Sequence, residues 1–182
     1  MKILLNKLLV FCLFITISSS TRAQLSKGHW LVGGDINIST VLPGEFYNPH
    51  GLTYSLMPNV GYFVIDKLVC GLRFDYSFLY PHQFHISTYG ILPFVRYYLL
   101  PAEGRINFFA DLSFGYSQVQ YGYIRYGNYQ WAASAGPTLF INRRISLSVG
   151  VGFLAFEGDS NNYGPFSQRF GMNIGCHFHL GN

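Results

Sequence analysis

Charge is scarce in this chain. Asp, Glu, Lys and Arg make up only 11% of its 182 residues, where soluble domains average roughly 25%. A soluble surface needs more charge than that. No apolar run reaches the length of about 20 residues that a membrane-crossing helix requires, so a helical membrane protein is excluded too. No glycine-rich phosphate loop is present, because the glycines alternate with apolar residues instead. Cysteine is rare, with three in all. What the chain does have is aromatic residues, at 18%, and 20 glycines.

The N-terminus reads as an export signal over residues 1–23. Lys2 and Lys7 form a basic start, residues 8–17 an apolar stretch, and 18–23 a small polar region with a cut expected after Ala23. Bulky Val10 and Phe11 before Cys12 argue against a lipoprotein site. Removing Lys2, Lys7 and Arg22 takes Lys and Arg from 12 to 9 against 8 acids, a net of +1. Nothing in that balance points to nucleic acid. The remainder, 24–182, reads as one domain.

That domain is patterned with period two. Trp30, Val32, Ile36 and Ile38 alternate with Leu31, Gly33, Asp35 and Asn37, which gives a strand one apolar and one polar face. Such segments recur over 29–39, 52–64, 68–80, 87–99, 106–118, 129–141, 145–156 and 169–180. Each is long enough to cross a bilayer when tilted. Short turns fall at 66–67, 101–105 and 142–144, and longer loops at 40–51, 81–86, 119–128 and 157–168. The asymmetry is that of an outer-membrane barrel with short periplasmic turns. The reading is an all-β, eight-stranded, antiparallel up-and-down transmembrane barrel. The 119–128 segment could instead lengthen its hairpin beyond the membrane.

The polar faces decide which way the barrel turns. They carry mostly Gly, Ser, Asn and Thr, with Asp35, Arg73, Asp75, Arg96 and Asp111 near mid-strand. A few balanced charges among small residues suit a crowded lumen, since eight strands leave an interior that side chains just fill. Arg73 and Arg96 are expected to share Asp75 and Asp111, with Asp35 joining across the lumen and glycines making room for the arginines. Glu157 and Arg169 are expected to pair at the rim. On the apolar faces, Trp30, Tyr62 and Tyr97 form one aromatic level, and Tyr54, Tyr76, Tyr89, Tyr116, Tyr129 and Trp131 another. That is the arrangement of two interfacial girdles. Pro58, Pro93 and Pro137 fall inside strands on the apolar side. Proline cannot donate to the ladder, so local bulges are expected there.

Other chemistry is weaker. His177 and His179 face the same way, but no third metal ligand is apparent, and they read as lumen packing. His82, His85 and Ser87 lack the fixed base–orienter arrangement of a hydrolase. Cys70 and Cys176 sit on the lipid face of non-neighbouring strands, as free small hydrophobes. No cofactor is expected.

Residues 58–64, Pro-Asn-Val-Gly-Tyr-Phe-Val, continuing through Asp66 to Gly71, resemble a recurring hairpin of small outer-membrane β-barrel proteins of the porin-like type. Residues 93–98 resemble the matching later strand. The likeness covers the whole mature chain. It departs at the C-terminus, where Gly181-Asn182 follow Phe178 and Leu180 in place of a final aromatic. The resemblance implies insertion into the outer membrane of a Gram-negative envelope, with membrane lipids and the assembly machinery as partners. Any extracellular partner would meet the loops. It implies no activity. The favoured reading is a barrel without catalysis, acting through its loops or through envelope integrity. The alternatives are a narrow pore and a lipid-modifying envelope enzyme, and the polar lumen argues against an acyl chain inside it.

Overall fold

Eight alternating segments can hide their backbone polar groups only by pairing all round, and the chain closes into a barrel. The computed structural model describes residues 25–42, 52–80, 86–158 and 168–181. The expected signal segment and the His82–His85 pair lie outside them. The strands are β1 (Trp30–Val41), β2 (Leu52–Ile65), β3 (Leu68–Tyr80), β4 (Ile86–Tyr98), β5 (Ile106–Tyr121), β6 (Ile124–Phe140), β7 (Ile145–Gly158) and β8 (Gln168–Leu180). Each pairs antiparallel with its sequence neighbour, and β8 returns to β1.

The stagger can be followed residue by residue. From Leu31 the ladder runs through Gly61, Gly71, Phe94, Ser113, Ala132, Leu154 and Arg169, and returns to β1 at Val41. The shear is therefore ten residues (41 − 31), and strands in such barrels tilt by about 35–45°. Tyr62 lies opposite Trp30, and Tyr54 opposite Ile38, eight residues further along β1 (38 − 30). At roughly 3.3 Å per residue and that tilt, the two aromatic levels stand ~20 Å apart along the axis. All nine girdle aromatics point outward. Several touch across strands: Trp30 on Tyr62 edge to face at 5.1 Å, Tyr76 on Tyr89 at 5.1 Å, and Trp131 on Phe153 at 5.3 Å. Between the levels the outward face is apolar, with Ile36, Leu56, Phe74, Ile91, Leu112, Val149 and Ile174 all exposed.

The two ends differ. At the turn end, Asp66-Lys67 link β2 and β3 in two residues, with Lys67 in the left-handed region at φ 66°. Asn142 holds the β6–β7 turn by accepting the Arg144 and Ile145 amides at 2.7 and 2.9 Å. At the loop end, β5 and β6 stay paired as far as Tyr121 and Ile124, joined through Gly122-Tyr123 with Gly122 at φ 59°. The 119–128 segment is thus a hairpin that outruns the Tyr116–Tyr129 pair by five residues (121 − 116), not an open loop.

The three prolines do not make bulges. Each faces outward, and each leaves its register intact on both sides. Pro58, Pro93 and Pro137 pair without a break with the preceding strand, opposite Gly34, Leu72 and Phe108. Toward the following strand, two ladder pairs drop out at each one and pairing then resumes in step. A strand residue aims its N–H at one neighbour only, so a missing donor opens one side of the ladder and leaves the other untouched. The register shift that does occur, between Phe63 and Ile65, belongs to the β2–β3 turn.

Candidate functional site

The lumen is filled in three layers, counted from the turn end. The first is an apolar and aromatic plug of Leu25, Leu31, Phe63, Val69, Phe94, Tyr98, Phe109 and Phe140. Phe63 stacks on Tyr98 at 6.1 Å, and Phe140 leans on His179 at 5.4 Å. The N-terminal segment closes the end. The Leu25 carbonyl accepts the Lys67 amide at 2.7 Å and the Gly28 amide donates to Phe63 at 3.0 Å, which lays the fully buried Leu25 side chain into the plug. Leu25 carries no strand signal of its own, so alternation could not assign it this role.

Above the plug lies the ion cluster. Asp111 grips Arg73 at both ends, Oδ1 to Nη1 and Oδ2 to Nη2, each 2.9 Å, and also accepts Arg96 Nε at 2.9 Å. Two-point contacts of this kind are the stronger class of charged hydrogen bond. Asp35 Oδ2 stands 3.5 Å from Arg96 and 4.0 Å from Arg73, and accepts Asn59 Nδ2 at 3.0 Å. His177 completes the group, with its Nε2 3.1 Å from Arg96 Nη1 and 3.6 Å from Asp35. Each guanidinium also lies over a ring, Arg73 on Phe94 and Arg96 on Phe109, both at 4.8 Å. Desolvated contacts of that kind stabilise further.

Asp75 is not part of this cluster. It sits two residues nearer the loop end than Arg73, and its oxygens accept Ser77 Oγ at 2.5 Å and Gln130 Nε2 at 2.7 Å. The stagger is the reason. Arg96 and Asp111 are register partners, whereas Asp75 pairs with Gly90 in a row above them. The expected sharing of two acids by two arginines is therefore corrected to Asp111 and Asp35.

The lumen glycines also serve differently from expectation. A Cβ at Gly175 would collide with Asp35, Ser148 and His177, one at Gly71 with Phe94, one at Gly150 with Phe109, and one at Gly61 with Val69. They make room for the acid, the imidazole and the rings that carry the arginines, rather than for the arginines themselves.

The third layer, at the loop end, holds Asp75, Ser77, Ser55, Gln130, Phe156 and Arg169, all buried. Arg169 lies over the Phe156 ring at 4.6 Å. It does not pair with Glu157, which faces outward opposite Tyr129 while Arg169 faces inward opposite Leu154. Alternation on the two strands puts them on opposite sides of the wall. Cys70 and Cys176 are free and face outward, on strands that are not neighbours. Ser146 Oγ and His179 Nε2 meet at 2.9 Å, but both residues are fully buried in the plug. Among the described residues no group of three or more His, Cys, Asp or Glu is placed to hold a metal ion.

A closed antiparallel barrel with an apolar belt between two aromatic levels and a polar, charged interior defines a transmembrane β-barrel. Its fold is that of the small eight-stranded outer-membrane barrels. Neisserial surface protein A superimposes with a TM-score of 0.56 at 13% identity, over 84% of this chain and 99% of that one. The outer membrane protein OprG from Pseudomonas aeruginosa gives 0.57 at 10% identity, over 89% and 100%. The outer membrane enzyme PagL gives 0.56 at 13%, over 80% and 97%. At these identities the likeness shows the fold. No protein-family model matches the sequence, and no curated protein does.

Proposed function

We propose that this chain is an integral outer-membrane barrel of a Gram-negative envelope, reached after removal of its first 23 residues. It acts without catalysis, through its loop end or through envelope integrity, and its lumen passes no solute. The observation that carries this reading is the pair of stacked seals. The aromatic plug closed by Leu25 fills the turn end, and the Arg73–Arg96–Asp111–Asp35 cluster fills the middle. A hydrated path would have to pass both. PagL raises the enzyme alternative, but the Ser146–His179 contact is fully buried against the Phe63 and Phe140 rings, which argues against it as a catalytic pair. Lipid-facing aromatics and the apolar belt provide the contact with membrane lipids.

Planar-bilayer recording tests the seals. Refolded wild-type protein should show no steady conductance, while Arg96→Ala, which empties the largest fully buried side chain from the lumen, should admit small, flickering currents. A large steady wild-type conductance would replace this reading with the pore.

Orientation is tested by labelling. Eight strands put both termini at the turn end, which is assigned to the periplasm, with the 40–51 and 157–168 loops outside. In a Cys70→Ala/Cys176→Ala background, a cysteine at Asn161 should react with a membrane-impermeant maleimide on intact cells and one at Asn142 should not. The reverse pattern would invert the barrel.

A further inference from the structure

The lumen holds three arginines and three aspartates among its buried residues, but they are not three ion pairs. Arg73 and Arg96 have carboxylates within 4.0 Å. Among the described residues Arg169 has none, and its Nε and Nη1 make no hydrogen bond there, although only 4% of the residue is exposed. Its guanidinium lies over the Phe156 ring. Asp75 shares its layer through Gln130, the register partner of Phe156, and both Asp75 oxygens are taken by Ser77 and Gln130. A buried guanidinium with unfilled donors is an expensive arrangement, and it lies in the third layer, on the loop side of the seals. Close by in the register are further unfilled polar atoms: Ser39 Oγ and Thr53 Oγ1, which face each other, and Gln130 Oε1, opposite Phe156.

We propose that the loop-end half of the lumen is a dead-end binding site for a singly charged anion, a phosphodiester or carboxylate group, anchored on Arg169 over Phe156. The guanidinium supplies planar donors that match either group. Phe156 fixes the plane of the guanidinium, and the Ser39, Thr53 and Gln130 atoms offer secondary contacts to a polar ligand. Asp75 sets the charge. A carboxylate close by in a confined lumen repels a second negative charge, so a monoanion is accepted in preference to a dianion. The proposal rests on the sealed-lumen reading, since the two lower layers close the lumen on the turn side of Arg169. It is measured separately from conductance, so either can fail alone.

The experiment is 31P NMR of dimethyl phosphate with protein refolded in a nonionic detergent, folding being verified by heat-modifiable gel mobility. Wild-type protein should broaden the dimethyl phosphate line in a saturable way, and inorganic phosphate dianion should compete at least several-fold less well. Arg169→Gln should abolish the broadening, while exposed Arg125→Gln should leave it unchanged. Asp75→Asn should tighten dimethyl phosphate binding and narrow the gap to the dianion. Micelles doped with phosphatidylglycerol distinguish the source. Displacement of dimethyl phosphate by the doped lipid assigns the site to a lipid headgroup, and no displacement assigns it to a soluble ligand. Equal broadening by wild type and Arg169→Gln overturns the site. If Arg169→Gln does not refold, Asp75→Asn decides alone: unchanged or weakened binding there overturns the proposal.

Discussion

Replacing Asp111 with alanine is expected to cost the barrel about 3–5 kcal/mol, the range for stranding a buried charge by removal of its partner. Asp111 holds Arg73 by two bonds and Arg96 by a third, all at 2.9 Å, with both arginines nearly inaccessible. Asp35, at 3.5 and 4.0 Å, cannot take over both. Asp75→Ala should cost less, about 1–3 kcal/mol, because its hydrogen-bond partners are the neutral Ser77 and Gln130 and no guanidinium is bonded to it. Urea titration of protein in lipid vesicles, followed by tryptophan fluorescence, ranks the two. A larger loss at Asp75 would contradict this division of the lumen charges.

The second large effect is on the outside. Leu112 is 64% exposed on the outward face of β5, between Val95 and Ala133 and away from both aromatic levels. Leu112→Arg should destabilise the barrel by about 2–4 kcal/mol, as arginine does at a bilayer midplane, whereas Gln118→Arg, beyond the Tyr116 level, should cost no more than about 1 kcal/mol. Refolding into vesicles measures both. Equal losses at the two positions would mean that the apolar belt is not where the bilayer sits. An inward arginine is not a neutral control here. Ser148 is buried beside Gly175, Asp35 and His177, so the larger side chain would overpack a filled lumen.

The strand count, the faces and the belt were legible because period two is a local property. Once Asp35, Arg73, Asp75, Arg96 and Asp111 fall in phase with serines and glycines, their direction follows without knowing any neighbour. The same holds for the nine girdle aromatics and for Cys70 and Cys176. Strand ends were less legible. Residues 119–128 carry a workable hairpin pattern, but only ladder pairing up to Tyr121 and Ile124 decided that it forms. The prolines misled because a missing donor suggests a bulge, and strand direction alone does not say that a single neighbour bears the loss.

What the sequence determined by itself was therefore a barrel with an apolar exterior and a charged interior. What only the tertiary structure decided was who meets whom across the lumen. Phase along a strand is encoded every two residues. Contact across the interior depends on the ten-residue stagger accumulated over eight strands, and no single segment carries it. That stagger lowers Asp111 to Arg73 and Arg96, lifts Asp75 toward Gln130, brings His177 into the cluster and, among the described residues, leaves Arg169 on Phe156 with no ion pair. Leu25 belongs with these long-range outcomes, since its place in the plug comes from backbone bonds to the β2–β3 hairpin and not from any pattern around it.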